Sequence, residues 1–378
     1  MPLEAGLRSF VSHPVWPHSH PDSQFSIANY QFTMTIYIIF ASLFIFVVTQ
    51  LLVPLNIRFS TRHGILALPS ERRIHKHSTA QAGGLSFALP IILMQLLFSL
   101  LTKGEDLSRL FFELSVVSTV ALTLGLLDDR FESPARYKIL WQMLLGIVMY
   151  VIGYRVQFLT NPLGTHFILG WLSFPVTVLW YLIVINAINL IDGMDGLASG
   201  ISAITCLVLL TMGILEKSIL VISLSVFLFA GLLAFLRFNF HPARIFLGET
   251  GTQFIALNIA AISTTGASQF KGITSLTLII PLAALAIPLL DVVLAVFRRM
   301  GKGNIAKADK AHIHHTMLEY GLSQRTVSII VYFVTFLFGL IAIGFSLTDK
   351  KILFSILMLL LALVVIVSYI LMRMEKKK

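Results

Sequence analysis

Residues 186–200 read Asn186-Ala-Ile-Asn-Leu-Ile-Asp-Gly-Met-Asp-Gly-Leu-Ala-Ser-Gly200 and close an apolar run that begins at residue 167. Two amides and two carboxylates therefore stand where a membrane helix meets water. Asn186, Asn189 and Asp192 recur at a spacing that places them on one helical face. Gly193 and Gly196 free the backbone to turn, so that Asp195 points back toward the same place. Carboxylates at a helix C-terminus face the negative end of the macrodipole, at a cost of roughly 0.3–1 kcal/mol each. A cation is therefore expected beside them. The same residues also fit a plain polar turn between two spans, and the rest of the chain has to decide between the readings.

Outward from this stretch the chain is 378 residues long, 57% hydrophobic and only 12% charged, against roughly 25% charged for a soluble domain. Its apolar residues come in runs near the length of a bilayer-spanning helix. The expected architecture is an all-α, polytopic integral membrane protein with about eleven transmembrane helices. They fall at about 34–53, 82–101, 110–127, 139–153, 167–191, 197–215, 218–236, 251–265, 273–297, 327–347 and 352–372, the fourth and eighth being short. Residues 1–33 read as a flexible tail, 34–372 as a single transmembrane catalytic domain and 373–378 as a basic C-terminal tail. No cleavable signal peptide is expected, because the polar start lacks a basic head followed by an apolar core. The single cysteine, Cys206, lies within an apolar run and excludes a disulfide framework or a thiolate metal site.

The basic residues set the orientation. Of the 28 Lys and Arg residues, all but Arg8, Lys103, Arg109, Arg155, Lys217, Lys271, Lys350 and Lys351 follow odd-numbered spans or sit in the C-terminal tail. The positive-inside rule then places the N-terminus outside and the C-terminus in the cytoplasm. The net charge of +10 is spread over short loops, which points to membrane phosphates and away from nucleic acid.

The polar clusters all fall on the cytoplasmic side of this topology. Asp128 and Asp129 end the third span in Gly-Leu-Leu-Asp-Asp-Arg. Adjacent carboxylates at a helix end repel each other and the dipole, which a divalent cation or a lysine would relieve. With oxygen and imidazole donors alone, magnesium or manganese suits such a site better than zinc. Phe246-Leu-Gly-Glu-Thr-Gly-Thr252 opens the eighth span; Thr250 and Glu249 suit a helix cap, and the glycines equally suit a phosphate against the backbone. The loop Arg298-Arg-Met-Gly-Lys-Gly-Asn-Ile-Ala-Lys-Ala-Asp-Lys-Ala-His-Ile-His-His315 can receive a diphosphate through charge and imidazole donors. Asp291 lies inside the ninth span, with Arg298 or Arg299 as its structural partner or a functional role of its own. Gly83-Gly84 opens the second span and serves either close helix packing or phosphate approach. Together these pieces ask for a phosphorylated substrate, one metal ion and a partner arriving from the bilayer, which describes phosphoryl transfer at a membrane surface.

The order Arg72-Arg-Ile-His-Lys-His77 and Gly83-Gly84, Leu127-Asp-Asp129, Asn186-x-x-Asn-x-x-Asp-Gly-x-Asp-Gly-Leu-Ala198, Phe246-Leu-Gly-x-x-Gly251, then Asp309-Lys-Ala-His-Ile-His-His315 resembles the polyprenyl-phosphate N-acetylhexosamine-1-phosphate transferase family. The match runs over roughly residues 60–320. The Asn-Asp stretch and the histidine loop are its specific parts. The resemblance implies an eleven-helix enzyme of the bacterial cytoplasmic (inner) membrane, often a homodimer, with a cytoplasmic magnesium site. Such enzymes move a sugar 1-phosphate from a UDP-sugar to undecaprenyl phosphate, release UMP and start a surface polysaccharide. The His-Ile-His-His form is similar to the branch using UDP-N-acetylglucosamine or a related UDP-N-acetylhexosamine.

By the same resemblance, Asp128, with Asp129 beside it, receives or orients the proton of the lipid phosphate. Glu249 and Asp192 hold the metal, Asp195 helps to hold metal or nucleotide, and Asn186 and Asn189 contact substrate. His312, His314, His315 and Arg299 bind the diphosphate. Two departures from the family pattern bear on the donor sugar. Glu249 stands where the family usually has Asp, and Ala67, Ser78 and Ala80 replace an Asp and two Pro of the first cytoplasmic loop. The competing classes are a transporter or lipid-binding membrane protein without catalysis, and a homologue with an altered donor or lost activity.

Overall fold

Each apolar run within the described residues is a helix. The computed structural model describes residues 21–67, 78–159, 167–269 and 321–347, together with Met317, Ser355, Ile356 and Leu359. Its helices are α1 (Pro21–Arg62), α2 (Gly84–Leu101), α3 (Glu105–Phe131), α4 (Ala135–Val151), α5 (Ser173–Ile191), α6 (Leu197–Leu215), α7 (Ile219–Asn239), α8 (Gly248–Gln269) and α9 (Gln324–Leu347). They meet the first eight expected spans and the tenth. The ninth span lies outside the described residues, as does the eleventh apart from Ser355, Ile356 and Leu359. So do Asp291, Arg299, His312, His314, His315 and the C-terminal tail.

Seven of the described helices are long and apolar enough to cross a membrane; α4 and α8 are the two that are not. The chain is a multi-pass membrane protein. α4 has only 17 residues, about 25 Å of helix at 1.5 Å per residue. Leucines of α2 at 89, 93, 97 and 100 are exposed, as the lipid-facing side of a spanning helix requires.

The chain divides into two units between Ala41 and Ser42, within α1. α1 starts at Pro21, inside the stretch expected as a tail; a proline suits a first helical turn, where its missing N–H leaves no bond unmade. The expectation of helix alone also misses two short antiparallel pairs. β1 (Leu66–Ala67) pairs with β2 (Thr79–Ala80), and β3 (Phe158–Leu159) with β4 (Phe167–Ile168). Ala80 further bridges Ile245 in parallel fashion, so the first long loop returns alongside the segment that leads into α8.

α8 explains itself once its neighbours are seen. It packs against α2, α3, α5, α6 and α7, and every residue from Gly251 to Thr265 is buried. A helix enclosed by protein on all sides tolerates polar residues that lipid would not, provided each finds a partner. Asn258 accepts a hydrogen bond from Gln95 of α2 at 2.9 Å and donates to Ser118 of α3 at 3.2 Å. Trp180 of α5 donates to Ser263 at 3.0 Å. Gly84 and Gly125 let α2 and α3 approach this helix at backbone contact. A Cβ at Gly84 would overlap Gly251, and one at Gly125 would overlap Glu249 and Thr250. The Gly83-Gly84 pair thus serves close packing here.

Candidate active site

Four helix ends meet at the start of α8. α3 ends with Asp128 and Asp129, α4 begins just before Lys138, α5 ends with Asn189 and Asp192, and α8 opens with Gly248 and Glu249. The reason is local. The first N–H groups of a helix have no partner within it, and those of α8 draw the acidic ends of α3 and α5 toward them.

Lys138 lies between two carboxylates. Its ammonium is ion-paired with Asp128 and stands 2.9 Å from Glu249 Oε1. Asp128 is buried, and its Oδ1 accepts the Ser133 N–H at 2.8 Å, folding the turn after α3 back on its helix end. Glu249 Oε2 accepts a short hydrogen bond from Asn189. Of the two counter-charges expected for the Asp128-Asp129 pair, a divalent cation or a lysine, a lysine stands at Asp128. Nothing in the sequence distinguished it from an ordinary cytoplasmic-loop lysine.

Asn186, Asn189 and Asp192 do share one face of α5, but they reach three different partners. Asn186 donates to Gln142 of α4 at 2.7 Å and to the Leu182 carbonyl one turn back. Asn189 reaches Glu249. Asp192, half-buried at the C-terminal end of α5, accepts the Gly248 N–H. Burial pushes its carboxyl well above the usual carboxylate range. The charges of Glu249, Asp129 and Asp195 push the same way, against the pull of the Gly248 N–H.

Asp129 and Asp195 are engaged differently. Asp129 Oδ1 accepts from Gln81 at 2.7 Å and from the Glu249 N–H at 2.8 Å, while Oδ2 accepts from the Thr250 N–H at 3.0 Å and from the Thr250 hydroxyl. Asp195, buried after the turn at Gly193, meets His241 Nδ1 at 2.8 Å and the Ala243 N–H at 3.0 Å through Oδ2. Gly196 has φ +75°, as the turn requires. α9 secures both turns, Tyr332 donating to the Gly196 carbonyl at 2.6 Å and Arg325 to the His241 carbonyl at 2.9 Å. Sequence reading singled out neither Lys138, Gln81 nor His241, because Glu249, Asp129 and Asp195, which they meet, lie between 46 and 111 positions away.

Asp128, Asp129, Asp192, Asn189 and Glu249 are thus brought together, with Asp195 and Asn186 at the margins. Among the described residues, no group of three or more His, Cys, Asp or Glu side chains is arranged to hold a metal ion. The donor chemistry nonetheless fits magnesium, which takes carboxylate oxygens and retains waters. Asp192 faces Glu249 with mutual repulsion, and a dication is what relieves two neighbouring carboxylates.

A multi-pass helical membrane protein with carboxylates, amides and a lysine gathered at one end of its helices is equipped for chemistry on a charged group at the membrane surface. Comparison with known proteins agrees. Residues 111–267 match the model of glycosyl transferase family 4. The chain is 34% identical to a probable undecaprenyl-phosphate N-acetylglucosaminyl 1-phosphate transferase of Bacillus subtilis (strain 168), over 78% of this chain and 80% of the relative. It is 33% identical to a decaprenyl-phosphate N-acetylglucosaminephosphotransferase of Mycobacterium tuberculosis (strain ATCC 25618 / H37Rv), over 75% and 76%. It is 26% identical to an undecaprenyl-phosphate alpha-N-acetylglucosaminyl 1-phosphate transferase of Escherichia coli (strain K12), over 76% and 78%. The chain belongs to glycosyl transferase family 4 and is an enzyme, a sugar-1-phosphate transferase.

Proposed function

We propose that this enzyme transfers an N-acetylhexosamine 1-phosphate, N-acetylglucosamine 1-phosphate in the first instance, from its UDP-sugar to undecaprenyl phosphate, and so starts a surface polysaccharide. An oxygen of the lipid phosphate forms a bond to the sugar-bearing phosphorus of the donor. The bond from that phosphorus to the bridging oxygen breaks, and its electron pair leaves with UMP. A phosphate monoester has a second pKa near 6, so a weak base suffices, and Asp128 is the group assigned to receive or orient the proton. The observation that carries this reading is the convergence of Asp128, Lys138, Asn189, Asp192 and Glu249 at the first turn of α8.

Asp192 and Glu249 are the residues that would hold magnesium, with manganese as a substitute, and the ion would supply charge neutralisation for the diphosphate. Lys138, held between Asp128 and Glu249, adds its positive charge for the anionic substrate. Asp195 supports the turn that presents Asp192. Arg299, His312, His314 and His315 are assigned to the diphosphate as well.

The full topology belongs to the same proposal: eleven spans, N-terminus outside, C-terminus and site at the cytoplasmic face of the bacterial inner membrane, in a homodimer. Transporters tend to place polar residues near the bilayer midplane, whereas the cluster here lies at helix ends. Asp192→Asn should abolish exchange of labelled UMP into the UDP-sugar in membranes, and undiminished exchange would refute its role. Activity appearing only in Glu249→Asp would favour a homologue that has lost its function.

A further inference from the structure

We infer that Asp129 is a positioning residue: from the end of α3 it caps the first turn of α8, and it thereby sets where Glu249 stands for the transfer. The inference rests on the functional reading above and deepens it, because it separates two adjacent carboxylates that the sequence presents as a pair.

A carboxylate offers about four lone-pair sites on its two oxygens. Asp129 has one hydrogen bond on each: the Gln81 side chain, the Glu249 N–H, the Thr250 N–H and the Thr250 hydroxyl. No site is left for a substrate proton or a metal ion. Asp128 is placed otherwise. It takes one backbone N–H and the Lys138 ammonium, and that ammonium also touches Glu249. One member of the pair faces the reacting groups while the other faces the fold.

The α8 terminus needs such a partner. The residue before Gly248 is Leu247, whose side chain has no atom to accept an N–H. The first three N–H groups are shared between two carboxylates brought from elsewhere, Gly248 to Asp192 and the next two to Asp129. Two glycines make room for this. Gly248 has φ +71°, and a Cβ there would meet both Asp129 oxygens. Gly125, one turn before Asp129, lies against the backbone of Glu249 and Thr250. The position of α8 is therefore read off α3 directly. Because Asp129 accepts the N–H of Glu249 itself, a shift of the cap is a shift of that side chain.

The test compares the purified wild-type protein with Asp129→Asn and with two milder variants, Thr250→Val and Gln81→Ala, which remove single hydrogen bonds and leave the carboxylate in place. Two readouts are taken: lipid-linked product with UDP-N-acetylglucosamine, undecaprenyl phosphate and magnesium across pH, and backbone amide exchange. In Asp129→Asn the exchange of the first-turn α8 amides should rise about five-fold, the factor for a lost cap. Product formation should fall about 100-fold, as for a small misplacement of a reacting group. The milder variants should fall less, and in both, where the Asp129 charge is kept, the acid limb of the pH profile should keep its wild-type midpoint. Unchanged α8 exchange in Asp129→Asn overturns the assignment, and so does an acid limb that vanishes in that variant, since only loss of the proton acceptor itself removes it. An inactive wild-type protein overturns the functional reading alone, and amide exchange then still decides the role of Asp129.

Discussion

Lys138 joins Asp128 to Glu249, and removing its charge leaves two carboxylates close together with no cation between them. Lys138→Met should lower UMP exchange by at least about 100-fold, the scale for losing one charged donor at a reacting phosphate. Lys138→Arg should be impaired too, since a planar fork does not reproduce a point charge set between two acids. Exchange at the wild-type rate in Lys138→Met would remove Lys138 from the site. A second carboxyl, outside this cluster, gives a pH prediction. Glu216, in the turn between α6 and α7, has an oxygen with no hydrogen-bond partner among the described residues. Burial lifts its carboxyl from 4.5 to about 7. The native state therefore binds this proton more tightly than the unfolded chain, and its stability falls as pH rises from about 4.5 through about 7. Glu216→Gln should unfold at a higher temperature than wild type at pH 8 and at nearly the same temperature at pH 5; an equal difference at both values contradicts the assignment. At this scale the sequence announced the acids and amides, since Asn186, Asn189, Asp192 and Asp195 crowd a helix end. It could not announce Lys138 or the saturation of Asp129, because each depends on which distant N–H or carboxylate the folded chain brings alongside.

α8 is the element on which the others converge, and its interior is held by polar contacts as well as apolar ones. The Gln95–Asn258–Ser118 chain ties α2, α8 and α3 together. Gln95→Leu and Asn258→Leu should each destabilise the protein, and the pair should show a coupling of about 0.6 kcal/mol, with about 1.7 kcal/mol as the ceiling for such contacts in membranes. Strict additivity in a double-mutant unfolding cycle would deny the contact. Gly84→Val is a harsher test of the α2–α8 approach, because its branched side chain would enter the backbone of Gly251. That variant should fail to accumulate in the membrane. The eighth span looked short and weak in sequence for the same reason that it is central: serine, threonine, asparagine and glycine are affordable only where protein replaces lipid on every side. Its cap was legible only in part, with Thr250 and Glu249 expected at a helix start, whereas the capping carboxylate comes from 120 positions earlier.

For the whole molecule, hydropathy located every described helix, and α6 occupies the expected residues 197–215 without adjustment. The short β pairs escaped because two-residue strands carry no periodicity to read. Topology is open to direct measurement, since the sole cysteine, Cys206, is fully buried and gives little background labelling. A cysteine placed at Glu105 should react with an impermeant reagent in intact cells, and one at Glu132 only after permeabilisation; the reverse pattern would invert the assigned orientation. The most direct measurement of the central claim takes the purified protein with UDP-N-acetylglucosamine, undecaprenyl phosphate and magnesium, and weighs the lipid product. The account predicts undecaprenyl diphosphate carrying one N-acetylglucosamine, formed together with an equal amount of UMP. UMP released without a sugar phosphate gained by the lipid, or a lipid gaining sugar without phosphate, would contradict it.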